Sequence, residues 1–215
     1  MIDPDYLYET SEPYRNLLRS IENAMEEEGK IQNRGRSQEA SDLGLKVWDL
    51  LLDMMSMLEA KSFLDLTYAT GDDLMCWASC FVTELHNAAS KDNTYRDLKY
   101  QFCSKFVDLH KHLRDKDAHN LGFIRNELAD SLFSMGKADQ ADALYREWLM
   151  AEPEWEQGWI NWSDSYWLWR YPDLNKDYEK ALSILKQGLS EPKVSSRSDL
   201  EDRLEMLTKE YTQSD

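Results

Sequence analysis

Two six-residue segments decide the fold of this chain: Leu128-Ala129-Asp130-Ser131-Leu132-Phe133 and, 34 positions later, Trp162-Ser163-Asp164-Ser165-Tyr166-Trp167. Each presents a large residue, a small residue, Asp, Ser, another large residue and an aromatic residue, in that order. Self-similarity at a fixed spacing indicates a structural repeat, and this spacing is typical of a unit of two helices joined by a turn.

The residues around the first segment fit the packing rules of a tetratricopeptide repeat (TPR). Small residues, Ala129 and Ala141, stand where the two helices of the repeat cross, because larger side chains would hold the backbones apart. Gly136 marks the turn between the helices, and Pro153 marks the stop before the next helix. Bulky residues occupy the flanking positions, namely Leu128, Leu132 and Tyr145.

A second repeat begins at Glu156, but its second helix comes late. The segment that starts at Asp177 matches the segment that starts at Lys137 at a spacing of 40 rather than 34 residues. Six residues are therefore inserted around positions 170–176. Insertions in such stacks map to one end and are often where specificity is added.

The rest of the chain is also predicted to be helical. Periodic apolar residues indicate helices from Pro13 to about Gly29, from Ser37 to Leu58 and from about Asn93 to Leu113. A capping box at residues 70–73 predicts the start of another helix. The polar connection at residues 29–37 predicts a mobile loop.

These elements predict an all-α protein of about nine helices, stacked as helical hairpins in a TPR-like α-solenoid. The low content of Gly and Pro, 8 and 5 in 215 residues, agrees with this class. We divide the chain into four segments. They are an N-terminal helix and connection (1–36), a region with a degenerate hairpin (37–117), two repeats (118–195) and a terminal helix that caps the stack (196–215).

The charge of the chain restricts its partners. The net charge is −16 at pH 7, and duplex nucleic acid is bound mainly through cations that meet phosphates, so we expect no nucleic-acid partner. A basic peptide is compatible with this charge. The simpler interpretation is that the acidic residues solvate the outer faces of helices.

The sequence also predicts where the protein is found. An odd number of cysteines, Cys76, Cys80 and Cys103, fits a reducing compartment better than a disulfide framework. The acidic N-terminus lacks the basic and apolar regions of a signal peptide, and no run of about 18 uncharged apolar residues occurs. We expect a cytoplasmic protein that does not associate with a membrane.

Several short blocks resemble a group of bacterial TPR proteins that often end in a cysteine-rich, metal-binding SEC-C motif. The most specific block is Pro153-Glu154-Trp155 followed by residues 158–167, and the resemblance extends from about Trp48 to Leu189. No cysteine follows Cys103, so the zinc-binding tail of that group is absent and no metal site is implied. The other blocks are Trp77, Glu84-Leu85-His86-Asn87-Ala88, Phe102-Cys103 and Trp148-Leu149.

In TPR stacks the first helix of each repeat lines a concave groove, which is the predicted partner-binding site here. An apolar residue on that face is either enclosed by a neighbouring helix or available to a partner. The helix of residues 39–58 or the C-terminal helix could cover this face instead. The candidate groove residues are Phe123, Asn126, Asp130, Phe133, Ile160, Asp164, Trp167 and Leu168.

Two acidic residues of this groove, Asp130 and Asp164, stand one repeat apart. They would repel an acidic peptide and favour a basic or amide-rich one. The alternative is a structural role, in which each carboxylate caps a helix or pairs with an arginine such as Arg125.

Signals for an enzyme are weak. Cys76 and Cys80, one helical turn apart, could share a metal with His86 and Cys103, but buried structural cysteines are far more common. A cluster of histidines and aspartates at residues 110–119 matches no zinc or hydrolase motif, and we interpret these residues as solvated. We predict no catalytic residues, no metal and no cofactor.

The sequence therefore predicts a non-enzymatic scaffold that binds a protein or peptide in a TPR-like groove. One alternative is an acidic protein that neutralises a basic partner by surface charge. Another is a helical metal-dependent enzyme. The oligomeric state is left open by the sequence.

Overall fold

The computed structural model describes residues 2–114, 120–168, 176–194 and 197–214. Within these ranges the protein is all-helical, as predicted, with eleven helices where about nine were expected. The helices are α1 Pro4–Thr10, α2 Glu12–Gln32, α3 Ser37–Leu58, α4 Phe63–Thr70, α5 Leu74–Ala89, α6 Thr94–Leu109, α7 Leu121–Ser134, α8 Ala138–Ala151, α9 Glu156–Trp167, α10 Tyr178–Ser190 and α11 Ser198–Ser214.

The two helices that were not predicted, α1 and α4, are short and start at strong local signals. The side chain of Asp3 caps α1 by accepting a hydrogen bond from the backbone N–H of Asp5, and Pro4 occupies the first turn. Ser62 and Asp65 form a complete capping box at the start of α4. Each cap satisfies backbone N–H groups that the start of a short helix would otherwise leave unpaired, and it thereby stabilises the helix. These two helices account for the difference between nine and eleven.

Several predicted boundaries needed correction. α2 continues past Gly29 to Gln32, so the connection to α3 is much shorter than predicted. The predicted capping box at residues 70–73 is wrong, because Thr70 ends α4 and Gly71 adopts a positive φ of 74°, while Asp73 caps α5. The predicted bounds of α3, and the start of α9 at Glu156, are confirmed. The insertion predicted at positions 170–176 lies almost entirely outside the described residues.

The chain divides into two compact units, Met1–Ile124 and Arg125–Asp215, with the boundary inside α7. The finer division into four segments stays a prediction.

The first unit is organised around a cluster of aromatic side chains from α3 to α6. The Phe102 ring meets the rings of Trp48 and Phe81 edge-on, each with a centroid separation of 4.8 Å. Such edge-to-face pairs add to the stabilisation that burial of the rings already provides. Trp77 stacks on Phe81, and Phe63 and Phe106 complete the cluster.

A buried carboxyl group, Glu28, lies beside this aromatic cluster. Its two oxygens accept hydrogen bonds from Trp77 Nε1 at 2.8 Å and from Gln32 Nε2 at 3.2 Å. Burial raises the pKa of Glu28 to about 7, and the nearby Glu84 carboxyl acts in the same direction. Gly44 permits this packing, because a Cβ at that position would lie 2.8 Å from a Glu28 oxygen.

His110, which we expected to be solvated, is fully buried against the same cluster. Its Nε2 accepts a hydrogen bond from the backbone N–H of Phe63, and its Nδ1 lies 2.8 Å from the Phe106 carbonyl oxygen, to which it donates. Burial lowers the pKa of His110 to about 4, so the ring is neutral at pH 7. The prediction failed because His110, which directly follows α6, contacts Phe63 of α4, and a contact between residues 47 positions apart is not visible in the local sequence.

The raised pKa of Glu28 predicts a pH-dependent stability. Its proton is bound more tightly in the folded than in the unfolded protein, so its stabilising effect is complete below about pH 4.5 and is lost as the pH rises through about 7. Glutamine does not titrate, so the unfolding free energy of Glu28→Gln minus that of wild type should rise by about 3 kcal/mol as the pH increases from 4.5 to 8. Urea denaturation across this range measures the difference.

The matched control is Glu27→Gln, which removes a carboxylate from the exposed face of the same helix. Its stability difference from wild type should not change with pH by more than about 0.5 kcal/mol. An equally flat profile for Glu28→Gln would contradict the assignment of Glu28 as a group that titrates near neutrality.

Candidate functional site

In the second unit, consecutive helices pack as antiparallel neighbours. Tyr145 of α8 stacks on Trp162 of α9, with ring centroids 5.8 Å apart. Between α9 and α10, the Ser163 hydroxyl donates to the Ala181 carbonyl oxygen at 3.1 Å, and the Asp177 N–H donates to the carbonyl oxygen of Tyr166. Positions along α9 and α10 therefore run in opposite directions, as in a helical hairpin.

A buried carboxylate, Asp142, connects three of these helices. Its Oδ1 accepts hydrogen bonds from Trp162 Nε1 at 2.6 Å and from the Tyr166 hydroxyl at 2.7 Å, both on α9. Its Oδ2 accepts from Lys180 Nζ of α10 at 2.6 Å. The carboxylate is 2% exposed, so its charge is stable in the interior because these donors surround it.

The same cluster determines the state of Tyr166. Burial, and then the hydrogen bond to Asp142, raise the pKa of the Tyr166 hydroxyl above its ordinary value. Lys180 Nζ also lies 2.7 Å from that hydroxyl oxygen and 4.1 Å from the ring centroid. Tyr166 is therefore a neutral hydrogen-bond donor to Asp142 at neutral pH.

A surface groove lies over α8, α9 and α10, next to the Asp142 cluster, and we call it the α8–α10 groove. It encloses about 630 Å³. Its apolar lining consists of Leu149, Met150, Pro153, Trp159, Trp162 and Ile184, and its polar lining of Arg146, Lys180, Ser183, Gln187, Glu191 and Lys193.

Two indole rings in the lining of this groove are held in place by the protein. Trp159 Nε1 donates to the Pro153 carbonyl oxygen at 3.0 Å. Its ring also packs against Gly188, where a Cβ would lie 2.8 Å from Trp159 Cγ. Because the indole N–H groups of Trp159 and Trp162 are hydrogen-bonded within the protein, the small part of each ring that reaches the groove is apolar.

The charges of the groove are mostly positive, although the whole protein is acidic. Arg146 lies over the Trp162 ring at 5.7 Å, and its side chain is more than half exposed. Lys180 and Lys193 are two further cations. The negative charges at the groove are the carboxylates of Asp142, which pairs with Lys180, and Glu191. The groove therefore combines an apolar floor with cationic edges, which suits a ligand that carries apolar groups and carboxylates.

The structure places four of the predicted concave-groove residues in the interior. Phe133, Ile160, Asp164 and Trp167 are each at most 4% exposed. The ring of Phe133 meets Tyr166 edge-on at 5.5 Å. The remaining four are Phe123, which is exposed, and Asn126, Asp130 and Leu168, which are half-buried.

The C-terminal helix α11 covers the α9 part of this face. Arg203 Nη2 lies 3.3 Å from Asp164 Oδ2, and the Arg203 guanidinium stands 5.9 Å from the centre of the Trp167 ring. Trp167 Nε1 donates to Asp164 Oδ1 at 3.0 Å. The Asp164 charge, which predicted a basic peptide partner, is therefore paired with Arg203 within the protein.

Arg125 has another partner. It forms a buried ion pair with Glu152, with 2.8 Å between Nη1 and Oε1, and lies over the rings of Trp148 and Trp155. This contact joins α7 to the turn after α8 and stabilises the hairpin.

The cysteines considered as metal ligands do not share one environment. Cys76 and Cys80 are exposed on α5, whereas Cys103 is fully buried on α6. Burial, followed by the neighbouring Cys76 thiol, raises the pKa of the Cys80 thiol. Within the described residues of either unit taken by itself, no three His, Cys, Asp or Glu side chains bring ligand atoms within 4.8 Å of one another.

Comparisons of the chain with protein-family models, with curated proteins and with solved structures found no match. The resemblance to TPR proteins therefore stays a prediction based on the residues quoted above. In the described part of the chain, no helix has both the length and the apolar character needed to cross a membrane.

The α8–α10 groove is not among the sites predicted above, although its sequence carries one signal. Met150 is 85% exposed and lies off the buried face of α8, which Ala141, Tyr145, Trp148 and Leu149 form. A large apolar residue on the polar face of a helix marks a candidate contact surface.

The burial of Trp167 predicts a large effect of its truncation. We expect Trp167→Ala to lower the free energy of unfolding by about 3–5 kcal/mol, because a cavity would remain and Asp164 would lose the hydrogen bond from Trp167. Urea unfolding midpoints measure this cost. Met206→Ala, on the exposed side of α11, serves as the control, with an expected change below about 0.5 kcal/mol. Nearly equal midpoints for the two variants would contradict the covered position of Trp167.

The Asp142 cluster predicts a second destabilising substitution. Asp142→Ala leaves the Trp162 and Tyr166 donors without their acceptor and Lys180 without its ion pair, so we expect a loss of about 3–5 kcal/mol. Asp139→Ala removes an exposed carboxylate from the first turn of the same helix and should cost less than about 1 kcal/mol. Thermal unfolding of both variants tests this difference. If Asp142→Ala loses no more unfolding free energy than Asp139→Ala, Asp142 is not central to the stability of the second unit.

Proposed function

We propose that the chain is a non-enzymatic, TPR-like scaffold whose second unit binds a peptide segment of a protein partner in the α8–α10 groove. The observation that carries this proposal is the composition of the groove, in which ordered indole rings and aliphatic side chains are flanked by exposed cations. Apolar anchors that fill a pocket supply most of the affinity of protein interfaces, and charges at the edge supply specificity and orientation.

The chemistry of the groove indicates the kind of peptide. Met150, Leu149 and Ile184 suit a large apolar side chain, since burial of such a side chain contributes about 1.5–3 kcal/mol. Arg146 and Lys193 lie where carboxylates next to that side chain would be paired. We therefore propose an acidic partner sequence with apolar anchors, in place of the basic peptide that Asp130 and Asp164 suggested.

The predicted concave face is not the binding site in this proposal. Asp164 and Trp167 already contact α11, so a peptide would have to displace that helix to reach them. The α8–α10 groove needs no such displacement, because Met150, Arg146 and Lys193 of its lining are exposed in the folded chain.

Selection from a random peptide library displayed on phage tests the proposal. We expect wild-type protein to enrich peptides in which a large apolar residue is next to Asp or Glu. Met150→Glu combined with Lys193→Glu should weaken the selected peptides by at least about tenfold, since it removes an apolar contact and reverses one charge. Fluorescence anisotropy with labelled copies of these peptides measures the affinity.

Met206→Glu is the matched control, because it introduces the same side chain at an exposed methionine outside the groove lining. This variant should bind the selected peptides as wild type does. Enrichment of basic peptides, or of peptides that bind the groove variant and wild type equally well, would overturn the proposal.

A further inference from the structure

We infer that the α8–α10 groove of one copy of this protein binds the N-terminal helix α1 of a second copy, an inference that rests on the function proposed above. The surface involved is called the α1 patch and comprises Ile2, Asp3, Asp5, Tyr6, Tyr8, Glu9 and Tyr68.

The α1 patch is where exposed apolar groups are concentrated. In the described part of the chain, seven large hydrophobic side chains are exposed, and four of them are Ile2, Tyr6, Tyr8 and Tyr68. The Tyr68 hydroxyl lies 3.4 Å from Asp5 Oδ2, which places this side chain of α4 beside α1. Exposed tyrosines are typical of protein interaction surfaces, where tyrosine is enriched.

The charge of the patch is opposite to that of the groove. Asp3, Asp5 and Glu9 are exposed among the apolar side chains. The neighbouring cation is Arg15, whose guanidinium is engaged with the carbonyl oxygens of Tyr8 and Glu9. The patch therefore alternates large apolar groups with carboxylates, which is the ligand chemistry that the groove requires.

The groove supplies the complementary groups on the other surface. Met150, the most exposed large hydrophobic residue of the described chain, lines it together with Arg146 and Lys193. Apolar contact between the methionine and a tyrosine ring, and ion pairs between these cations and the carboxylates of α1, would form together.

The two surfaces are different parts of one chain, so the contact between copies is heterologous. Each bound pair leaves one patch and one groove free, so association continues into an open chain unless the geometry closes it into a ring. This property makes the inference testable with two complementary variants.

The patch variant carries Tyr6→Ala and Glu9→Lys and keeps the groove intact. The groove variant carries Met150→Glu and Lys193→Glu and keeps the patch intact. All four positions are exposed, and circular dichroism with thermal unfolding establishes that both variants fold as wild type does.

Sedimentation velocity from about 1 µM to about 1 mM then measures association over the range of weak complexes. Wild type, and the Met206→Glu control, should associate in a concentration-dependent manner. Each variant alone should be monomeric. A mixture of the two variants should form a one-to-one dimer and nothing larger, because only one intact pair of surfaces is present.

Two results would overturn the inference: wild type that stays monomeric throughout this range, or association that persists in either variant alone. The peptide selection separates these failures from failure of the proposed function. If selected acidic peptides bind the groove while wild type is monomeric, the groove is a peptide site whose partner is not a second copy. If wild type is monomeric and no selected peptide binds the groove, both proposals fail.

Discussion

The second unit depends on one buried carboxylate, that of Asp142. An ionised group in the interior is costly unless donors surround it, and here the donors come from α9 and α10 while the acceptor comes from α8. A shift of any of these helices along its axis would leave Asp142 or a donor unpaired. The cluster therefore selects one register of the three helices, which apolar packing alone would select less strictly.

The same cluster shapes the surface above it. Trp162 donates its indole N–H inward to Asp142, so its ring is left as apolar floor in the groove. Lys180 and Arg146 point toward the same carboxylate and keep part of their side chains exposed. The interaction that sets the helix register thus also produces a surface that is apolar in its lining and cationic at its edges.

The first unit is stabilised by an aromatic cluster. Its aromatic cluster surrounds two titratable groups that burial drives toward their neutral forms, Glu28 through a raised pKa and His110 through a lowered one. Their linkage to pH has opposite sign, since acid favours the folded state through Glu28 and disfavours it through His110. Exposed apolar groups in this unit are concentrated at α1 and α4, away from the fully buried cluster.

Much of the fold could be predicted from the sequence because its signals are local. The turn at Gly136 with its positive φ of 72°, the bounds of α3 and the start of α9 depend on periodicity and capping within one or two helices. The candidate site could not be predicted in the same way. Sequence periodicity shows that a face of α9 is apolar but not whether a neighbouring helix covers it.

By itself, the sequence determined that the described part of the chain is all-helical, and it located the bounds of α3 and the start of α9. Only the tertiary structure decided which faces remain open. α11 covers Asp164 and Trp167 because Arg203 pairs with the carboxylate and Tyr211 stacks on Tyr178, and both contacts join residues far apart in the chain. Burial, charge pairing and the position of a groove are properties of such long-range contacts, so they follow from how helices pack and not from the pattern within any one helix.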